Sequence, residues 1–339
     1  MNSLAANIAI FAIAAIAIAL AGTRMTAVAD RLADKTGLGE ALVGALFLGG
    51  STSLPGIVAS VTAAITDHPE LAASNALGGI AAQTAFLAIA DIVYRKANLE
   101  HAAASIANLM QGSLLIALLS MSLLAMASPE VSLLAINPMT LFLIGVYLFG
   151  LRLTSQAQNA PMWVPRRTTE TLLDEPDEPA TSGGGAMGLW GRFGVLAIIV
   201  GVSGYAVAQS GVAIAAKTGL SETIVGTLFT AVSTSLPELV TTVAAVRTGA
   251  LTLAVSGVFG GNSFDILLLA FSDLAYRGGS IYHIFGDRQV FIATLTIFMT
   301  AIMLLGLLRR EKYGIGNIGF ESFFILLLYA GGICILMFG

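Results

Sequence analysis

The sequence predicts an all-α integral membrane protein of ten transmembrane helices, built as two inverted five-helix repeats. Three observations carry that prediction. Hydrophobic residues make up 56% of the chain and charged residues 11%, a balance that belongs to bilayer-embedded proteins rather than soluble domains of this length. Runs of about 20 apolar residues, enough to cross the hydrocarbon at about 1.5 Å per residue, recur along the chain. Finally, one segment occurs twice. Laid together without a gap, residues 35–95 and 217–277 share nearly half their positions. Lys35-Thr36-Gly37-Leu38 matches Lys217-Thr218-Gly219-Leu220, and Ser51-Thr52-Ser53-Leu54-Pro55 matches Ser233-Thr234-Ser235-Leu236-Pro237. Gly78-Gly79 matches Gly260-Gly261, and Asp91, Tyr94 and Arg95 match Asp273, Tyr276 and Arg277.

Taken in order, the apolar runs place spans near residues 4–22, 40–66, 70–94, 104–127 and 133–151, then near 193–210, 222–247, 250–276, 288–308 and 317–338. The first run is long enough to span and has no basic stretch before it, so it reads as a retained helix rather than a signal peptide. Residues 152–192 are polar and contain Asp174-Glu175-Pro176-Asp177-Glu178 and Ser182-Gly183-Gly184-Gly185; such a composition reads as a flexible linker. The chain therefore divides into a first repeat (1–151), a linker (152–192) and a second repeat (193–339).

Five spans separate one Lys-Thr-Gly-Leu from the next, and an odd number of crossings puts the two copies on opposite sides of the bilayer. Lysine and arginine are also asymmetric. Arg24, Arg31, Lys35, Arg95, Lys96, Arg152, Arg166, Arg167, Arg192, Arg247, Arg309, Arg310 and Lys312 fall on one face; Lys217, Arg277 and Arg288 fall on the other. The positive-inside rule makes the first face cytoplasmic, with the linker inside and both termini outside, in an inner or plasma membrane of prokaryotic type. Inverted repeats with polar, interrupted helices at the midplane are the signature of a secondary transporter.

The residues that carry chemistry lie in the duplicated segment. Glu238 and Asp265 are carboxylates inside apolar spans, where an ionisable side chain marks an ion or substrate pathway. In the first copy Gly56 stands opposite Glu238 and Gln83 opposite Asp265. Pro55 and Pro237 remove a backbone donor and break the helix, exposing carbonyl oxygens. With Thr234 and Ser235 this makes an all-oxygen environment suited to hard cations. Ser51, Ser60, Ser74 and Thr66 read as helix-packing groups, and Asn75 as either a ligand or an interhelical hydrogen-bonding group. His68, His101 and His283 lack metal-ligand spacing, and Asp91 with Arg95 and Asp273 with Arg277 read as structural ion pairs. The lone Cys334 excludes an internal disulfide, the net charge of -4 forms no basic patch for nucleic acid, and no nucleophile and base are placed for an enzyme.

These motifs resemble the alpha repeats of the sodium/calcium exchanger superfamily, the cation/calcium antiporters, in which Gly-Thr-Ser-Leu-Pro-Glu is followed by a Gly-Asn-x-x-Gly-Ser-Asn segment ending in Asn or Asp. The resemblance implies alternating access around a midplane site with ligands from helices two, three, seven and eight. Residue by residue it implies Thr234, Ser235, Glu238, Asp265 and the carbonyl of Ala231 from the second repeat. From the first it implies Thr52, Ser53, Gln83 and the carbonyl of Gly49. This chain departs from the pattern at Gly56, in place of a glutamate, at Ser51 and Ser233, in place of glycines, and at Gly79 and Gly261, in place of serines.

The expected function is secondary-active exchange of Ca²⁺ for Na⁺ or H⁺, with ion choice or stoichiometry altered by Gly56; the expected partners are these cations and the lipid bilayer, with no cofactor. Two alternatives stand beside it: an Na⁺- or H⁺-coupled carrier of a monovalent cation or another small solute, and a non-transporting membrane binding protein.

Overall fold

In hydrocarbon a backbone can satisfy its N–H and C=O groups only internally, so each crossing is a helix and departures from regular helix are confined to the protein interior. The computed structural model describes residues 3–36, 41–94, 97–159, 161–166, 186–312, 314 and 318–338. Among the described residues the regular structure is helical apart from a single isolated bridge between Leu133 and Ile136.

The first repeat opens with α1 (Leu4–Ala17), a π-helical turn (Ile18–Gly22) and α2 (Thr23–Thr36). Next, α3 (Ala41–Thr52) and α4 (Leu54–Ile65) meet at Ser53 with a bend of 66°. Then come α5 (Pro69–Val93), the short α6 (Leu99–Ala102), α7 (Ile106–Ala127) and α8 (Pro138–Asn159). The second repeat is built on the same plan. A long α9 (Ala186–Thr218) leads to α10 (Glu222–Ile224), a π-helical stretch (Val225–Thr230) and α11 (Ala231–Thr234). That assembly bends by 48° at Ser235 into α12 (Leu236–Thr248). After it run α13 (Leu251–Asp265), α14 (Leu267–Ala275), a 3₁₀ turn (Ile281–His283), α15 (Asp287–Arg309) and α16 (Phe320–Phe338). Among the described residues, eight spans are long and apolar enough to cross a membrane, and counting each of the two bent pairs as one span gives the ten expected.

Burial sorts the helices into centre and rim. The apolar window of α5 is 83% buried and that of α13 with α14 is 72% buried, whereas the first and last spans reach only 22% and 28%. Alanine and glycine make this possible: α5 is lined by Ala72, Ala73, Ala76, Gly78, Gly79, Ala81, Ala82 and Ala85, which let neighbouring backbones approach on every side. A Cβ built on Gly78 would lie 2.7 Å from the Thr227 Cα.

Several boundaries differ from the sequence reading. The first rod continues to Thr36, α8 continues to Asn159 and α9 begins at Ala186, so helix takes up part of what composition assigned to the linker. Polar residues beyond about 20 spanning positions still favour helix once they leave the hydrocarbon. The acidic cluster at 174–178 and the serine-glycine run at 182–185 lie outside the described residues, as do Gly37 and Leu38.

The expected Asp273–Arg277 ion pair does not form. Helix α14 ends at Ala275, so the i,i+4 geometry is lost. Asp273 instead accepts hydrogen bonds from the backbone N–H of Ile281 (2.9 Å) and Asn137 (2.8 Å) and from the Thr140 hydroxyl (2.6 Å). Asp91 does the equivalent work in the first repeat, accepting from the N–H of Leu99 (2.7 Å) and Gly319 (2.9 Å); Arg95 lies outside the described residues. Each aspartate thus ties the end of its helix to a loop of its own repeat and to one of the other.

Candidate functional site

At Ser53 and Ser235 the helices do not stop; they turn. Ser53 has φ -81° and ψ 0°, and Ser235 has φ -96° and ψ 7°, each one residue before a Leu-Pro step whose proline has no N–H to continue the ladder. The Gly49 carbonyl accepts from the Ser53 N–H (2.9 Å) and the Thr52 hydroxyl (3.0 Å); the Ala231 carbonyl accepts from the Ser235 N–H (3.1 Å) and the Thr234 hydroxyl (3.1 Å). The two bends are therefore copies of one local structure, facing each other across α5 and α13.

Between them lies a small cavity of about 10 Å³, close to the room one water molecule needs. Ser53, Gly56, Asn75, Gly79 and Gln83 line it from the first repeat, and Thr234, Ser235, Glu238, Asp265 and Leu268 from the second. Six of the nine expected ligands are thereby brought together: Ser53, Gln83, Thr234, Ser235, Glu238 and Asp265. Thr52, Gly49 and Ala231 are not among the residues lining the cavity; their oxygens take part in the hydrogen bonds of the local turns.

The two carboxylates have different surroundings. Asp265, 5% exposed, accepts from the Ser53 hydroxyl on one oxygen and from the Gln83 amide (2.6 Å) on the other. The same amide nitrogen donates to the Ser235 hydroxyl at 3.1 Å. Gln83 and Asp265 occupy equivalent places in the two repeats, so this contact joins the repeats at their pseudo-symmetric midpoint. Glu238, 8% exposed, has a buried oxygen, Oε2, with no protein hydrogen-bond partner. The Gln83 Oε1 is also buried without a partner. A buried polar oxygen left without a donor costs about 1–3 kcal/mol, more when charged, so these two atoms are where the site has most to gain from a bound cation.

Asn75 belongs to the hydrogen-bonded wall. Its amide donates to the Ser60 hydroxyl (2.8 Å) and the Gly56 carbonyl (3.3 Å), and its oxygen accepts from the Thr234 hydroxyl (3.3 Å). A Cβ built on Gly56 would point to Leu268 Cδ2 at 3.0 Å, with Asn75 and Thr234 each at 3.9 Å. Position 56 therefore faces the cavity, and the space beside it is taken by the Leu268 side chain. Sequence spacing gave no signal for Leu268, an apolar residue among apolar residues. Among the described residues, no group of three or more His, Cys, Asp or Glu side chains is disposed to hold a metal. The histidines are used elsewhere: His68 meets Glu222 at 2.6 Å, while His101 and His283 reach the carbonyls of Arg310 and Ser128.

Comparison with known proteins shows the family and the fold. The family model described as "Sodium/calcium exchanger protein" matches residues 6–154 and 188–338, one block for each repeat. The inner membrane protein YrbG of Escherichia coli (strain K12) is 26% identical over 294 residues, 83% of either chain. The sodium/calcium exchanger MaX1 of Methanosarcina acetivorans is 33% identical over 135 residues, 39% of this chain and 38% of its own. Among solved structures, the H⁺/Ca²⁺ exchanger CAX superposes with a TM-score of 0.67 at 13% identity, covering 97% of this chain and 84% of its own. The sodium-calcium exchanger NCX_Mj superposes with a TM-score of 0.58 at 18% identity, covering 98% and 99%. Those two superpositions bear on the fold alone.

Proposed function

Because this chain belongs to the sodium/calcium exchanger family, we propose that it is a secondary-active antiporter carrying Ca²⁺ against Na⁺ or H⁺ by alternating access, with the ion held between Glu238 and Asp265. The observation that carries this reading is the buried, unpartnered Glu238 Oε2 in a cavity sized for one small ion and shared with a second carboxylate. Two ionised carboxylates match the charge of one Ca²⁺, and protons or Na⁺ can replace it one charge at a time.

A second reading is supported by a separate observation. Both Asp265 oxygens already accept hydrogen bonds from protein donors, and Gly56 supplies no carboxylate. Glu238 is then the one carboxylate with a free oxygen, which suits a single monovalent cation.

Flux measurements in proteoliposomes distinguish the two. With Ca²⁺ as substrate, an imposed Na⁺ or proton gradient is expected to drive uptake in the wild type, and Glu238→Gln is expected to lower it at least tenfold, order-of-magnitude, for loss of a charged ligand. Na⁺/H⁺ exchange with no Ca²⁺ movement would favour the monovalent reading. Folded, inserted Glu238→Gln protein that transports as well as the wild type would overturn both.

A further inference from the structure

Away from the midplane site, a groove of about 680 Å³ opens between α2 and the start of α9. Its polar lining is Arg24 and Arg31 from α2 and Arg192 from α9; the rest is Ala27, Val28, Gly188, Gly191, Val195 and Leu196. Sequence dictates its shape. Arg24 and Arg31 are seven residues apart, two helical turns, so they stand on one face of α2 about 10 Å apart. Ala27 and Val28 lie between them on that face and leave the wall low. On α9, Cβ atoms built on Gly188 and Gly191 meet nothing within 4 Å, so the two glycines open the other wall.

The groove's depth in the bilayer is set by helix length. The first span is a helix of 30 residues and that of α9 one of 32, about 45 and 48 Å, against a hydrocarbon core of about 30 Å. The apolar part of the first rod ends at Thr23 and that of α9 begins at Phe193. Arg24 and Arg192 mark these two limits, at the level where hydrocarbon gives way to headgroups. Below the groove, Leu20, Ile198 and Val202 are exposed apolar side chains on the first rod and α9. Trp190, partly exposed, packs its ring against Phe47 of α3 and Phe193 of α9, an aromatic anchor at the same level.

We infer that this groove is a binding site for the headgroup of an acidic phospholipid, whose phosphate is held by Arg24, Arg31 and Arg192 and whose acyl chains run down the apolar surface below. Charge complementarity selects the occupant. The three guanidinium groups are exposed, and among the described residues none of them is in an ion pair with an acidic side chain. A guanidinium fork matches phosphate oxygens in geometry as well as charge. The apolar surface beneath favours a lipid over a soluble anion, and basic pockets between helices at the membrane surface bind such headgroups elsewhere. A lipid seated there touches α2 and α9 together and so ties the opening helices of the two repeats.

The test is native mass spectrometry on the purified full chain, delipidated and titrated with phosphatidylglycerol or phosphatidylcholine. The wild type is expected to retain phosphatidylglycerol preferentially. A variant carrying Arg24→Gln, Arg31→Gln and Arg192→Gln is expected to bind it about tenfold or more weakly, with phosphatidylcholine unchanged. Arg247→Gln, removing a positive charge at the end of α12, is the control and is expected to behave as wild type. A wild type that does not prefer the acidic lipid, a triple variant that retains it normally, or an Arg247→Gln variant that loses it equally would each overturn the assignment. The unchanged phosphatidylcholine signal and the melting temperature report whether the triple variant is folded.

Discussion

Asp265 is held rather than free: Ser53 and Gln83 each donate to one of its oxygens, and Gln83 also donates to Ser235. Glu238, on the other wall, keeps an oxygen without a partner. This difference separates two kinds of substitution. Gln83→Leu removes a donor to a buried carboxylate and to a buried hydroxyl, a loss of about 2 kcal/mol in stability. Its melting temperature should fall by several degrees along with its flux. Glu238→Gln keeps the shape and removes no donor, so its flux should fall while its melting temperature stays at or above that of the wild type. Equal melting temperatures for Gln83→Leu and wild type would show that Asp265 does not depend on the amide. Glu238 and Asp265 were legible in the sequence because carboxylates are costly in apolar spans. The Gln83–Asp265 contact was half legible: the repeat register aligned the two positions, but only the packing of α5 against α13 brings equivalents into touch. Gly49, Thr52 and Ala231 were placed by resemblance alone; their oxygens hydrogen-bond within the two bends.

At the scale of elements, helix ends were the least legible feature, because apolar runs report the hydrocarbon and not the helix. The Asp-x-x-x-Arg spacing suggested ion pairs only on the assumption that each helix continues, and α14 stops before Arg277. The two repeats surround these aspartates differently. Beside Asp273 stands Tyr282, whose hydroxyl lies 3.4 Å from that of Thr140; in the equivalent place beside Asp91 stands Glu100, bonded to Ser322 at 2.6 Å. The second Glu100 oxygen is buried without a partner, and Glu321 packs with Glu100 around Gly306. Burial, with the neighbouring Asp91 charge second, pushes the Glu100 carboxyl from its ordinary 4.5 up to about 7. Between those two values the folded protein binds more protons at Glu100 than the unfolded chain does. Stability from this group is therefore intact below about pH 4.5, falls as pH rises through the window and is level above about 7. The integrated loss is about 3 kcal/mol. Glu100→Gln mimics the protonated group, so its melting temperature relative to wild type should show near zero difference at pH 4, rise towards pH 7 and flatten beyond. A difference that does not change with pH would rule out titration of Glu100 across this range.

For the whole molecule, the duplication visible in the sequence reappears as a paired contact between the repeats. A Cβ built on Gly22, at the end of the first π-helical turn, would lie 2.5 Å from Cγ of Pro237; one built on Gly204 of α9 would lie 2.7 Å from the Pro55 carbonyl. Gly22 and Gly204 are equivalent in the repeat register, as are Pro55 and Pro237, so each opening helix lies against the break of the other repeat. Neither contact has slack, since the atoms met are a rigid ring and a backbone carbonyl. Any movement of the opening helices across the bundle must slide over these two points, and the prolines they touch set the bends that shape the Glu238 and Asp265 cavity. Gly204→Ala is therefore expected to force α9 away from α4 at a cost of about 1–3 kcal/mol and to slow exchange severalfold. Gly22→Ala should do the same at the other break. Gly194→Ala, where an added Cβ meets nothing within 4 Å, should leave both melting temperature and flux unchanged. If Gly204→Ala and Gly194→Ala prove equally neutral in melting and in proteoliposome flux, the close approach of α9 to Pro55 is not part of how the repeats are held.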